Sequence, residues 1–210
     1  MSPDFIKSVI VLLHARLATL GFIKKKPGIS ITKISDETIG WIGTNKATRG
    51  KNKYLELNLV VGVRNQRIER LVAELVNEEF NDVIPPTLAG NIGYLMPQNE
   101  YCPYIFSEDN PKEMVVEKLT NDVRLYGLPF MQRHMGMDEL INGMYSSRFA
   151  IGFMAAYRIP AGLFLLGRKD DAGNFLSKEL TKLKDHNNSA ALRYKKFAEN
   201  FMDLFNKGVK

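Results

Sequence analysis

Apolar side chains recur every three or four positions at Phe5, Ile6, Val9, Leu13, Leu17 and Leu20, which predicts an amphipathic first helix. Ser2-Pro3 supplies its start, a hydroxyl cap followed by proline at the first helical position, and Gly21 its end. Beyond Lys24-Lys25-Lys26-Pro27-Gly28 the period falls to two. Ile29 and Ile31 alternate with Ser30 and Thr32, a second short strand surrounds Trp41 over 39–43, and Leu55, Leu57 and Leu59 share one face of a third over 54–63. Polar, glycine-containing connections between them predict antiparallel pairing. A helix is expected from Gln66 to Glu79, burying Ile68, Leu71, Val72, Leu75 and Val76.

Proline and glycine punctuate residues 80–109, where Tyr94-Leu95-Met96 and Tyr104-Ile105-Phe106 are candidate strands. Asn110-Pro111 then reads as a capped helix start, and the helix it opens stops at Gly127. The remainder reads as helices with boundaries at Leu128-Pro129, Gly136, Ser146-Ser147, Ile159-Pro160 and Gly167. Asp170 and Asn188 or Ser189 are expected to cap the last two. The expected fold is α+β: an N-terminal helix, a small antiparallel sheet with flanking helices, and an all-helical C-terminal third. The expected division is an α+β domain over 1–127 and a helical C-terminal region over 128–210 packed on it, with one single domain as the alternative.

Charge changes this picture more than bulk composition does. The net charge of +6 conceals three zones. Residues 1–53 hold ten basic and three acidic side chains, a balance of +7; residues 54–122 hold five and twelve, a balance of −7; residues 123–210 hold fourteen and eight, a balance of +6. A uniformly basic nucleic-acid binder has no such acidic middle, whereas a protein presenting an acidic face to a basic partner does. The acidic candidates for partner binding are Glu74, Glu78, Glu79, Asp82, Glu108 and Asp109, with Glu74 and Glu78 one helical turn apart on one face.

Reactive chemistry is sparse. Six residues separate Gly43 from Gly50-Lys51, too many for a P-loop, and Asn52 stands where Ser or Thr would hold magnesium. The single cysteine, Cys102, excludes a disulfide-stapled miniprotein and thiolate zinc clusters and reads as a small hydrophobe. No metal or other cofactor is expected. Arg133, His134, Asp138 and Glu139 gather enough acid–base groups for a candidate enzyme site, although capping of the next helix explains both carboxylates. Lys46, Arg49, Lys51 and Lys53 form a basic turn that suits phosphate, yet the turn carries no aromatic to stack on bases, which argues against nucleic acid. Asp4 falls where a signal peptide carries positive charge, and no apolar run approaches a membrane span, so no export or membrane contact is expected and the expected compartment is the cytoplasm.

Several stretches carry a resemblance. Leu20-Gly21-Phe22-Ile23-Lys24-Lys25-Lys26, Trp41-Ile42-Gly43, Leu57 to Val63, Tyr126-Gly127-Leu128-Pro129-Phe130 and Leu166 to Ala172 together resemble a widespread bacterial domain of unknown function. Its members are small cytoplasmic proteins, often encoded beside polymorphic toxins and thought to act as immunity proteins. The resemblance implies a non-enzymatic binding protein that neutralises a toxin by direct contact, and the acidic middle implies a basic partner such as a nuclease. It assigns no catalytic residue and leaves the oligomeric state open.

Overall fold

The computed structural model describes residues 1–51, 53–146, 148–149 and 151–207. Asn52, and Ser147 of one expected helix boundary, lie outside them. The architecture is α+β: an N-terminal helix, an antiparallel sheet and a helical C-terminal third.

The first compact unit comprises Met1–Arg64 and Ala89–Met135. Helix α1 (Pro3–Ala18) begins as its sequence dictates, with Ser2 Oγ accepting the Phe5 N–H at 3.2 Å. Val9, Leu13 and Leu17, spaced by four, form its buried stripe. The strands are β1 (Ile23–Lys26), β2 (Ile29–Lys33), β3 (Thr38–Arg49), β4 (Tyr54–Asn65), β5 (Leu88–Asn91) and β6 (Pro103–Phe106). Their order is β1-β2-β3-β4-β5, and β6 also pairs with β4, setting Leu55 against Phe106 and Leu57 against Tyr104. On β4, Leu55, Leu57, Leu59, Val61 and Val63 alternate inward as the period of two requires, and all are buried.

Helix α3 (Lys112–Asp122) packs on α1 and β6. It starts after Pro111 with no side-chain cap, so Asn110 does not play its expected role. The helical path also continues through Gly127, where a stop was expected. A π-helical turn over Val123–Gly127 joins α3 to α4 (Leu128–Arg133), the Leu128 N–H reaching back five residues to the Val123 carbonyl. This widened turn accommodates Pro129, which has no N–H to continue the usual ladder. Residues 92–95, read partly as a strand, form a 3-10 turn capped by Asn91 Oδ1, which accepts the Gly93 N–H at 2.9 Å.

The second compact unit comprises Asn65–Leu88 and Gly136–Lys210. This grouping is discontinuous along the chain. Its helices are α2 (Gln66–Leu75), α5 (Met137–Tyr145), α6 (Met154–Leu165), α7 (Lys169–Lys182) and α8 (Ser189–Lys207). Helix α2 packs on α6 and α8, α6 on α5 and α7, and α7 on α8. Gly162 on α6 permits the closest approach: a Cβ there would stand 2.9 Å from Ile141 and 3.3 Å from Ile68.

Two expectations about these helices need correction. Pro160 does not end a helix; it lies inside α6. Its missing N–H would leave the Ala156 carbonyl without a helical donor, and the Tyr194 hydroxyl donates to that carbonyl at 3.3 Å. Asp170 is not the cap of α7, which begins after Arg168. Instead Asp170 and Asp171 occupy its first turn, where carboxylates suit the helix dipole. Asn188 does cap α8, its Oδ1 accepting the Ala191 N–H at 2.9 Å.

Candidate functional site

The acidic segment 74–82 begins at the end of α2. That helix stops at Leu75, four residues short of the expected end, because Asn77 takes the left-handed conformation (φ 56°). The Asn77 N–H donates to the Glu74 carbonyl at 3.1 Å and the Glu78 N–H to the Ala73 carbonyl at 2.9 Å, the two bonds of a Schellman termination. Glu78 therefore lies beyond the helix and does not share a helical face with Glu74. It pairs with Arg193 of α8. Asn200, also on α8, donates to the Leu75 carbonyl at 2.8 Å.

The chain after this termination is fixed as firmly. Arg70 stacks over the Phe80 ring at 4.8 Å. Asn81 Oδ1 accepts the N–H groups of Val83 and Ile84, each at 3.0 Å, and Gln66 Nε2 donates to the Asp82 carbonyl at 2.9 Å. Glu74, Glu79 and Asp82 are exposed on this framework, and among the described residues they form no ion pair. Carboxylates at the C-terminal end of a helix add to its negative pole, which disfavours the helix and strengthens the negative field outside it.

Glu108 and Asp109 belong to the other unit and are exposed there. Glu108 is already engaged: its Oε1 accepts the Ser2 backbone N–H at 2.6 Å, and that bond holds its carboxyl below the usual carboxylate range.

The basic turn is smaller than its sequence implied. Residues 45–49 complete β3, leaving Gly50, Lys51 and Lys53 on the turn, with Gly50 and Lys51 both at positive φ. The four cations thereby separate in role. Arg49 pairs with Glu56 at 3.2 Å, Lys51 and Lys53 stand exposed on the turn, and Lys46 lines a groove beside α1.

The residues of the candidate acid–base site fall in both units. In the first, Arg133 ends α4, and His134 Nδ1 donates to the Phe130 carbonyl at 2.9 Å with its ring 4.5 Å from the Phe130 ring. In the second, Asp138 and Glu139 occupy the first turn of α5, and Asp138 lies 3.5 Å from Arg168. Among the described residues, no group of three or more His, Cys, Asp or Glu side chains is placed to hold a metal ion. No helix among them is long and apolar enough to cross a membrane.

His14 is half-buried in the groove beside α1, 3.3 Å from Ser30 Oγ. Burial, and then the neighbouring Lys24 charge, lower its pKa from 6.5. The folded state therefore disfavours the proton. Stability is unaffected by this group above about pH 6.5 and is lost as pH falls from there through the lowered value. Urea midpoints compared at about pH 7.5 and about pH 5 are expected to fall further in the wild type than in His14→Gln.

Sequence reasoning missed a buried polar centre in the second unit. Arg158 is fully buried in α6, and its Nη2 donates to Glu69 Oε2 at 3.1 Å. Its Nε faces Glu69 Oε1 at 2.8 Å, out of hydrogen-bond alignment, and its Nη1 donates to the Thr87 carbonyl at 3.2 Å. The Thr87 hydroxyl donates to Glu69 Oε1 at 2.6 Å and accepts the Asn65 N–H at 3.0 Å. The available signal was a lone arginine among Tyr157, Ile159, Pro160 and Ala161, since an apolar run admits a guanidinium only with a partner. Compared with known protein families, curated proteins and solved structures, the chain matches none.

Proposed function

We propose that this chain is a non-enzymatic cytoplasmic binding protein that acts by occupying the surface of a basic protein partner. In its fuller form the proposal is an immunity protein that neutralises a bacterial toxin domain by direct contact. The observation that carries it is the segment 74–82, where Glu74, Glu79 and Asp82 stand exposed and, among the described residues, without an ion pair, on a backbone held by α8, Gln66 and Asn81. Side chains carried on an already ordered backbone lose less entropy on binding, so more of their attraction appears as affinity. Their single sign steers an oppositely charged partner and accelerates its association.

The test is capture of partners from the source cell by the immobilised full chain, wild type and Glu74→Lys/Glu79→Lys/Asp82→Lys. All three positions are exposed, so the variant is expected to keep its fold. A basic protein held by the wild type at about 150 mM salt, weakened at higher salt and reduced at least about tenfold by the variant, is the expected result. Identical capture by the two chains, or capture of no protein at any salt, contradicts the proposal.

A further inference from the structure

The first unit carries a surface of opposite character. Two adjoining depressions, of about 220 and 470 Å³, share Ile10, Lys24 and Lys46 and run beside α1 from Pro3 to His14. Ile6, Ile10 and Val11 supply their apolar lining, and Val11 is 61% exposed although it lies in the middle of a helix. Lys7 of α1, Lys24 of β1 and Lys46 of β3 supply the charge, from three separate elements. Among the described residues, no acidic side chain lines either depression and none of these three lysines has an ion-pair partner. Elsewhere in the unit Arg16, Lys33 and Arg49 each have a carboxylate within 4 Å.

We infer that this groove receives an acidic amphipathic helix from a partner protein, separately from any contact at segment 74–82. The apolar lining selects a ligand with an apolar stripe, and the three lysines select negative charge beside that stripe. The groove follows α1 for about 17 Å, at 1.5 Å per residue, which is about three turns of a partner helix. A helix anchored at i, i+3 or i+4, and i+7 places its anchors over about 10 Å and so fits within that length. Nucleic acid fits less well, because the lining is mostly apolar and, among the described residues, carries no Phe, Tyr or Trp ring on which a base could stack. A flat anionic bilayer fits less well too, because a planar surface leaves the two depressions unfilled.

The test uses a fluorescein-labelled peptide of about 18 residues with leucine at helical i, i+3/i+4 and i+7 spacing and glutamate on the flanking positions. One control peptide replaces glutamate by lysine, and another keeps the composition but scatters the leucines. Fluorescence anisotropy with the full chain is expected to show saturable binding of the first peptide alone. Lys7→Glu/Lys24→Glu/Lys46→Glu is expected to weaken it at least about tenfold, and Val11→Asp several-fold. All four positions are exposed, and thermal melts verify that each variant is folded. Glu74→Lys/Glu79→Lys/Asp82→Lys is expected to bind the peptide unchanged, so failure here and failure of the proposed function are separate results. Absence of saturable binding, equal binding of either control peptide, or indifference to the triple lysine variant overturns the inference. Vesicles of phosphatidylcholine and phosphatidylglycerol bound through the same lysines more tightly than the peptide also overturn it, as does self-association that this variant abolishes.

Discussion

Replacing Glu69 by Leu is expected to destabilise the protein by about 3–5 kcal/mol, a large share of the roughly 5–15 kcal/mol that holds a typical domain together. The cost does not measure the attraction between Glu69 and Arg158. It is dominated by what remains: a guanidinium with no solvent exposure and no countercharge, and a Thr87 hydroxyl without its acceptor. Arg158→Met is expected to cost about as much, because it removes the buried guanidinium that donates to the Glu69 carboxylate. The double variant Glu69→Leu/Arg158→Met separates this account from simple loss of contacts. With both members of the pair replaced, neither is left facing the loss of the other, so its destabilisation should fall below the sum of the single effects by about 1–3 kcal/mol. Urea unfolding of the four proteins gives the cycle, and additive losses would show that the pair is not acting as a buried unit.

Phe201→Ala is expected to cost about 3–5 kcal/mol through the cavity it opens. Phe201 is fully buried, with its ring 5.6 Å from those of Phe164 and Phe197 and 5.2 Å from that of Phe205. Edge-on contacts of this kind add to the apolar area each ring buries. Phe201→Leu retains most of the volume and should cost roughly 1.5 kcal/mol or less. The consequence reaches the acidic segment, because Asn200 and Arg193 of the same helix hold the Leu75 carbonyl and the Glu78 carboxylate. Hydrogen exchange should therefore quicken at the Glu78 amide, whose bond to the Ala73 carbonyl closes α2. An unchanged Glu78 exchange rate in a destabilised Phe201→Ala protein would uncouple the aromatic cluster from the segment.

What was legible in the sequence was local. Ser2 and Asn188 declare their helices because a cap is a contact between residues three apart. Strand β4 declares itself through three leucines at alternate positions. Strand β1 does not, since Ile-Lys-Lys-Lys is exposed throughout and has no apolar face to alternate. The far half of β3 is hidden for the same reason, so residues 45–49 resembled loop. Pro160 and Pro129 resembled helix breaks because the rescuing groups, the Tyr194 hydroxyl and the widened turn at 123–127, are not written beside them. The acidic candidates were visible as composition. Their state was not: the end of α2 depends on the conformation of Asn77, Glu78 is claimed by Arg193, and Glu108 is claimed by a backbone N–H 106 residues away.

The central claim, that this chain acts by surface contact through segment 74–82, is tested most directly by photocrosslinking in the source cell. A benzophenone amino acid placed at Glu79 is compared with the same group at Asp36, an exposed position in the other unit. A discrete adduct with one basic protein from position 79, absent from position 36 and lost when Glu74 and Asp82 are changed to Lys, is the predicted result. No adduct at position 79, or the same adducts from both positions, contradicts the claim.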